Sequence, residues 1–222
     1  MADSLHRSAG EPGRRSPAPV IGMAGGIGSG KSEVARLLGE MGCVVSHSDE
    51  DVREVLMRPE VRETLVEWWG KEILDAAGAV DRRAVARIVF SDEAQRRRLE
   101  GFVHPLVDAK RKKYWADAAA EGSVAAFVID APLLFEAGLD RRCDAVIFVE
   151  APESTRQERV RAGRGWDAGE LKRREKNQWP LELKRERSDH LIINDGDVSD
   201  LQRRVRLILD EILAKFAGAA PD

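Results

Sequence analysis

The sequence predicts an α/β fold, because short apolar segments alternate with stretches of helical periodicity along most of the chain. The first apolar segment is followed by a glycine-rich loop and then by an amphipathic helical pattern. Alternation of this kind is typical of a sheet covered by helices. With 222 residues, the chain is long enough for one large domain or for a core with insertions.

The glycine-rich loop at residues 25–32 fits the phosphate-binding pattern G-x-x-x-x-G-K-[ST] without a mismatch. Glycine adopts dihedral angles that let successive backbone N–H groups converge on phosphate oxygens. The loop opens a helix, whose N-terminus favours an anion. Lys31 is expected to reach the β and γ phosphates of a bound nucleotide, and Ser32 to ligate Mg²⁺. The predicted nucleotide-binding residues are Gly26, Ile27, Gly28, Ser29, Gly30, Lys31, Ser32 and Glu33.

A second short strand is predicted at residues 43–48, and Asp49 follows it directly. Ligands of open α/β sheets bind beyond the carboxyl ends of the strands, so Asp49 is a candidate reacting group. The alternative is an N-cap for a helix over 50–56, and the two roles are compatible. Arg53 lies four residues later, on the same helical face as Asp49.

Residues 50–121 are mostly helix-forming and contain no clear strand signal, so they are predicted to form a helical insertion. His104-Pro105 interrupts a long helical pattern near its middle. Proline at this point is expected to start or to kink a helix. Taken alone, His104 fits a structural or surface histidine better than a ligand.

Three further strands are predicted at residues 124–129, 145–149 and 190–194, and a C-terminal amphipathic helix at 199–216. Asp130 closes the first of these strands. An acidic residue at this point of a P-loop protein indicates a carboxylate near Mg²⁺. The alternative is an aspartate that caps a turn.

Residues 153–188 are crowded with arginine and lysine. Interspersed glutamates favour a solvated helix surface for some of these cations. The sharper hypothesis is a mobile lid. Arg164-Gly165 lies in a small-residue stretch at 162–169, from which Arg164 is expected to swing over the γ-phosphate and stabilise the charge of the transition state.

Composition argues against several classes of partner. The 36 basic and 39 acidic side chains give a net charge of −3, which provides no general attraction to nucleic acid or anionic lipid. Cys43 and Cys143 form no C-x-x-C motif, so a reducing cytoplasm fits best.

No apolar run approaches the roughly 20 residues that span a bilayer. Residues 1–19 are predicted to be a disordered leader without a signal-peptide core, and 218–222 a tail.

Together these segments resemble the dephospho-coenzyme A kinase family over nearly the whole chain, from about Val20 to Leu213. The features that carry the resemblance are the loop at 25–32, Asp49 with Arg53, Gly70 with Ile73-Leu74, Asp81-Arg82, Val89-Phe90, His104-Pro105, Asp130 with Pro132-Leu133-Leu134-Phe135-Glu136, Gln178, and Ile193-Asn194-Asp195-Gly196.

The resemblance implies a P-loop NTPase fold, in which a five-stranded parallel sheet is flanked by helices. It places the nucleotide-binding core at 20–58, 122–152 and 189–217, a helical substrate domain at 59–121 and an arginine-bearing lid at 153–188. The implied reaction moves the γ-phosphoryl group of ATP to the ribose 3′-hydroxyl of dephospho-coenzyme A. A small-molecule substrate and a monomer or small homo-oligomer are expected.

The resemblance also implies roles for individual residues of this chain. Asp49, Lys31 and Arg164 are the expected catalytic residues. Asp49, Arg53 and His104 are expected to bind the substrate. Ser32 and Asp130 are expected to hold Mg²⁺.

Two departures from the family pattern stand near the loop and the second strand. The family usually has Asp-Ala-Asp where this chain has His47-Ser48-Asp49, and threonine where it has Glu33. A carboxylate at Glu33 is expected to compete with the bound anion.

Two other functions stay open. One is a nucleoside monophosphate kinase, although a phosphate acceptor usually needs an arginine clamp rather than a lone carboxylate such as Asp49. The other is a nucleotide-binding regulatory protein without catalysis, which the departures from the family pattern at His47 and Glu33 would favour. Retention of Lys31, Asp49 and Asp130 argues against it.

Overall fold

The computed structural model describes residues 18–218. The predicted leader at 1–19 and the predicted tail at 218–222 therefore lie almost wholly outside the described residues. The described chain divides into two compact units, one formed by 18–46 with 118–218 and the other by 47–117. Within the described residues, no helix is long and apolar enough to cross a membrane.

Five strands form one sheet in the order β2-β3-β1-β4-β5. The pairs β1 with β3, β1 with β4 and β4 with β5 are parallel, which confirms the predicted five-stranded α/β core. The strand bounds are β1 (Val20–Gly25), β2 (Val44–His47), β3 (Phe127–Asp130), β4 (Ala145–Glu150) and β5 (His190–Ile193).

The helices of the described chain alternate with the strands at either end and cluster between β2 and β3. In chain order they are α1 (Lys31–Glu40), α2 (Ser48–Leu56), α3 (Pro59–Trp69), α4 (Arg82–Ser91), α5 (Glu93–Glu121), α6 (Glu153–Arg164), α7 (Ala168–Glu175), α8 (Leu181–Glu186) and α9 (Val198–Gly218). Short 3₁₀ turns occur at Lys71–Ile73 and Leu139–Arg142.

The core of the first unit lies where α1 and α9 pack together against the sheet. The central strands β1 and β4 are buried along almost their whole length, so both read as nearly continuous apolar runs. Val34 and Leu38 of α1 face this core, as do Val205 and Leu209 of α9. Their spacing of four residues is the helical periodicity that predicted both helices.

The second unit contains α2, α3, α4 and most of α5, and its core includes Val55, Leu65, Ile73 and Val103. α5 runs from Glu93 to Glu121 with Pro105 inside it, so this proline does not start a helix. The predicted lack of strands holds apart from a single antiparallel bridge between Leu74 and Val80.

A buried ion pair ties the segment after β3 to α8. Lys184 is 1% exposed, and its Nζ lies 2.8 Å from Oε1 of Glu136. The same ammonium donates to Oε1 of Gln178 at 3.0 Å and to the carbonyl of Pro132 at 3.3 Å. The Trp179 N–H donates to Glu136 Oε1 at 2.8 Å. The Lys184 ammonium and Oε1 of Glu136 therefore have the close partners that a buried pair requires, whereas Oε2 of Glu136 is buried without a hydrogen-bond partner among the described residues.

We predict that Lys184→Met destabilises the fold by about 3–5 kcal/mol, because it leaves the Glu136 carboxylate without its cation. Urea denaturation at pH 7 measures the loss. Arg185→Met is the matched control on the same helix, since Arg185 is half exposed and its Nε lies 3.7 Å from Glu150. It should cost less than about 1 kcal/mol. Equal losses for the two variants would contradict this account.

Candidate functional site

The glycine-rich loop connects β1 to α1 and has a backbone that only glycine accommodates at two points. Gly28 has φ 79°, and a Cβ there would lie 2.8 Å from the carbonyl oxygen of Arg156. Gly30 has φ 93°, and a Cβ there would collide with the side-chain amide of Asn194. The loop thus depends on glycine both for its left-handed turns and for the close approach of its neighbours.

The N-terminus of α1 carries no side-chain cap. Gly30 occupies the N-cap position in the left-handed conformation, and its carbonyl accepts from the N–H of Glu33 at 3.0 Å. No capping side chain therefore competes with an anion for this end of the helix. Such a terminus is suited to phosphate, as the sequence pattern predicts.

Lys31 lies against the loop that it is predicted to serve. Its Nζ donates to the carbonyl of Gly25 at 3.0 Å and to that of Gly26 at 3.4 Å. Ser32 follows in the first turn of α1 with an exposed side chain. The structure therefore brings the ammonium and the hydroxyl predicted for phosphate and Mg²⁺ to the same end of α1.

Asp130 is the last residue of β3 and pairs in register with Met23 of β1. The carboxylate is therefore carried at the same edge of the sheet as the loop that β1 feeds. Among the described residues, no group of three or more His, Cys, Asp or Glu side chains is arranged to hold a metal by itself. The donor set fits Mg²⁺ bound to a nucleotide, which usually takes one or two carboxylates together with phosphate oxygens and water.

Two arginines of α6 contact the carbonyl side of the loop. Arg156 is buried, donates to the carbonyl of Ile27 at 3.3 Å and forms an ion pair with Glu175. Arg159 donates to the carbonyl of Ser29 at 3.2 Å and to Oδ1 of Asn194 at 3.4 Å. Neither was predicted as a site residue from the sequence, because their spacing of three residues places both on one face of α6 but does not indicate what that face contacts.

Asn194 completes the support of the loop from β5. Its side chain is buried, and Nδ2 donates to the Ser29 carbonyl at 2.8 Å. Its backbone N–H donates to the carbonyl of Glu150 at 2.7 Å. The Asn-Asp-Gly segment that contributes to the family resemblance therefore has a direct structural task at the loop.

Arg164 ends α6, and Gly165 caps that helix in the left-handed conformation with φ 68°. The Arg164 guanidinium lies 4.9 Å from the centre of the Trp166 ring, and that of Arg174 lies 4.1 Å from the same ring. The Arg164 side chain is exposed. Its predicted action on the γ-phosphate stays a prediction.

The predicted substrate residues Asp49, Arg53 and His104 belong to the second unit. α2 begins at Ser48 with His47 at the N-cap position, so Asp49 lies in the first turn and the expectation that it caps the helix is wrong. Asp49 and Arg53 are both exposed, and His104 is an exposed residue of α5. Their exposure leaves these side chains accessible to solvent.

Glu33 is paired on its own helix. Its Oε1 lies 2.6 Å from Nη2 of Arg36, and Arg36 also pairs with Glu40. The hydrogen bond from Arg36 lowers the pKa of Glu33 below its usual value. The carboxylate is ionised but accompanied by a cation, which weakens the competition with bound phosphate expected from the sequence.

A cleft of about 350 Å³ opens beside Gly26 in the first unit. It is lined by the end of β4, by Arg156 and by Leu181 with other residues of α8. Its volume falls within the range of small-molecule sites, about 300–1,000 Å³. The phosphate-binding loop therefore borders a space that accepts part of a small ligand.

Comparison with known proteins places these features in one family. A family model described as dephospho-CoA kinase matches residues 19–200. The dephospho-CoA kinase of Synechococcus sp. (strain CC9605) is 36% identical over 200 residues, which cover 89% of this chain and 95% of the relative. That of Deinococcus radiodurans is 38% identical over 205 residues, which cover 89% and 98%.

Solved structures agree. A crystal structure of a Thermus thermophilus protein has a TM-score of 0.74 and 35% identity, over 87% of this chain and 97% of that one. The dephospho-CoA kinase from Campylobacter jejuni shares the fold, with a TM-score of 0.62 and 22% identity over 88% and 98% of the two chains. With the family model matched across the loop, both central strands and the arginine-rich helices, the chain belongs to the dephospho-CoA kinase family.

Proposed function

We propose that this protein phosphorylates the ribose 3′-hydroxyl of dephospho-coenzyme A with ATP and Mg²⁺, which is the last step of coenzyme A synthesis. Membership of the family gives the reaction and ATP as co-substrate. The observation that carries the proposal is the intact phosphate-binding loop within the 19–200 match, with Lys31, Ser32 and Asp130 at one edge of the sheet. A cytoplasmic location is in keeping with the buried cysteines Cys43 and Cys143, neither of which is in a disulfide among the described residues.

The loop binds the phosphates of ATP through its backbone N–H groups and the N-terminus of α1. The ammonium group of Lys31, which donates to the Gly25 carbonyl, can instead donate to a phosphate oxygen when ATP is bound. Ser32 and Asp130 are the residues that would hold Mg²⁺, which supplies neutralisation of phosphate charge when bound. These groups position the γ-phosphoryl group for an in-line attack.

Asp49 is the proposed acceptor of the proton from the attacking hydroxyl. A carboxylate can accept a hydrogen bond from the ribose hydroxyl and take its proton as the bond to phosphorus forms. Because the transition state of phosphoryl transfer is loose, placement of that hydroxyl matters at least as much as basicity. Arg53, on the same face of α2, and His104, on α5, are the proposed further contacts of the substrate.

The reaction itself is tested by incubating the protein with ATP, Mg²⁺ and dephospho-coenzyme A. We expect a product heavier by one phosphate, with that phosphate on the ribose 3′-oxygen, as measured by mass spectrometry of the digested product. AMP is the control acceptor, because a nucleoside monophosphate kinase would use it. Turnover of AMP without turnover of dephospho-coenzyme A would contradict the proposed function.

Asp49→Asn preserves the shape of the side chain and removes its charge. We expect turnover to fall by about 10² to 10⁴-fold, the usual contribution of a general base, while ATP affinity stays within twofold. His47→Ala is the comparison variant, because an imidazole at the preceding N-cap position is the other base close by in the sequence. Normal turnover by Asp49→Asn together with a large loss for His47→Ala would transfer the role to His47.

Arg159 and Arg164 of α6 have different proposed roles, and measurements of ATP affinity and of turnover distinguish them. Arg159→Ala is expected to weaken ATP binding and turnover together, because Arg159 supports the Ser29 carbonyl and Asn194. Arg164→Ala is expected to lower turnover about 10²-fold with little change in ATP affinity, as for a donor that acts on transition-state charge. Arg161→Ala, on the same helix and exposed, is the control. Equal loss of affinity and turnover for Arg164→Ala would place that residue in the ground-state ATP site.

A further inference from the structure

Two consecutive basic residues of α5 attach to α2 within the second unit. Nζ of Lys110 lies 2.7 Å from Oδ1 of Asp51 and 2.7 Å from Oε2 of Glu54. Nη2 of Arg111 donates to Oγ of Ser48 at 3.3 Å. The contacts thus reach both the first residue of α2 and the turn that follows it.

The side chains that form these contacts are largely buried, so few other partners can replace the ones they have. Arg111 is 3% exposed, Asp51 is 8% exposed, and the Lys110 side chain retains 24% of its exposure. Burial alone would lower the pKa of Lys110. The hydrogen bonds to Asp51 and Glu54 together outweigh this effect, so the pKa lies above its usual value. Lys110 is therefore charged at neutral pH. A partly buried charge needs close partners, so α2 is favoured in the one orientation that supplies them.

The helical geometry connects these contacts to Asp49. Ser48 and Asp51 are three residues apart and lie on one face of α2, which is the face held by α5. Asp49 and Arg53 are four residues apart and lie on a different, exposed face. Holding the first face fixes the rotation of the helix about its axis. It therefore also fixes the direction in which the Asp49 carboxylate is presented.

We propose that Lys110 and Arg111 are positioning residues that fix the first turn of α2 and so hold Asp49 in place for the acceptor hydroxyl. This inference rests on the proposed function, because it requires Asp49 to act on the acceptor. A displacement of about 1 Å in a reacting group can lower a rate by about 10²-fold, so loss of this attachment has a measurable effect on turnover.

The test variant is Lys110→Met, which keeps most of the side-chain volume and removes the ion pairs with Asp51 and Glu54. We expect kcat to fall about 10- to 10²-fold, with the affinity for ATP unchanged within twofold, since the phosphate-binding loop lies in the other unit. Lys110→Arg is expected to restore most of the lost turnover. Lys113→Met is the matched control, because Lys113 is exposed and pairs along α5 with Asp117 at 2.6 Å.

A double-mutant cycle with Asp49→Asn distinguishes positioning from a general structural role. If Lys110 acts through Asp49, Lys110→Met lowers kcat by less than about twofold in the Asp49→Asn background. A loss as large as in the wild-type background overturns the inference and leaves the proposed function standing. Normal turnover by Asp49→Asn alone contradicts the role of Asp49 and, with it, this inference.

Ser48→Ala provides a milder second variant in the event that Lys110→Met does not fold. It removes one hydrogen-bond acceptor of Arg111 and leaves the ion pairs of Lys110 in place. We expect a fall in kcat of about two- to tenfold, the scale of one hydrogen bond, which again disappears in the Asp49→Asn background. Unchanged kcat in Ser48→Ala would overturn the inference, and so would equal losses for Lys110→Met and Lys113→Met where both variants fold.

Discussion

The hydrogen bonds accepted by the carbonyl oxygens of the glycine-rich loop are the interaction on which the phosphate site depends. A loop of this composition has few side chains with which to hold its own shape. Donors from other elements bind its carbonyls, with Arg156 at Ile27 and both Arg159 and Asn194 at Ser29. Because each peptide carries its C=O and N–H in opposite directions, fixing the carbonyls orients the neighbouring N–H groups toward the space where phosphate binds.

In this arrangement the arginines of α6 hold the shape of the loop and also place positive charge beside it. Arg156 contacts the loop on one side and pairs with Glu175 of α7 on the other. The segment after α7 is held in turn, since Glu136 accepts from Trp179 and pairs with Lys184 of α8. The arginine-rich segment is therefore attached near its start to the glycine-rich loop and near its end to the segment that follows β3.

Sequence reasoning predicted what local pattern determines. The loop, the carboxylate that closes β3 and the five strands each have a signature within ten residues or fewer, and the structure contains all of them. The Arg159 contact could not be predicted in the same way, because α6 displays several arginines and only the packing of the helix against the loop distinguishes them. In the sequence, Lys184 looks like an ordinary surface lysine. Its burial depends on Glu136 and Gln178, which only the folded chain brings together around it.

Pro105 and Ser48 show the same limit in another way, since the structural setting of each depends on residues outside its own segment. The loss of one backbone donor at Pro105 is tolerated within a 29-residue helix whose neighbours Val103 and Val107 are buried in the core of the second unit. The hydroxyl of Ser48 receives a hydrogen bond from the buried Arg111. This partner lies 63 positions further along the chain, so no local pattern around Ser48 indicates the contact.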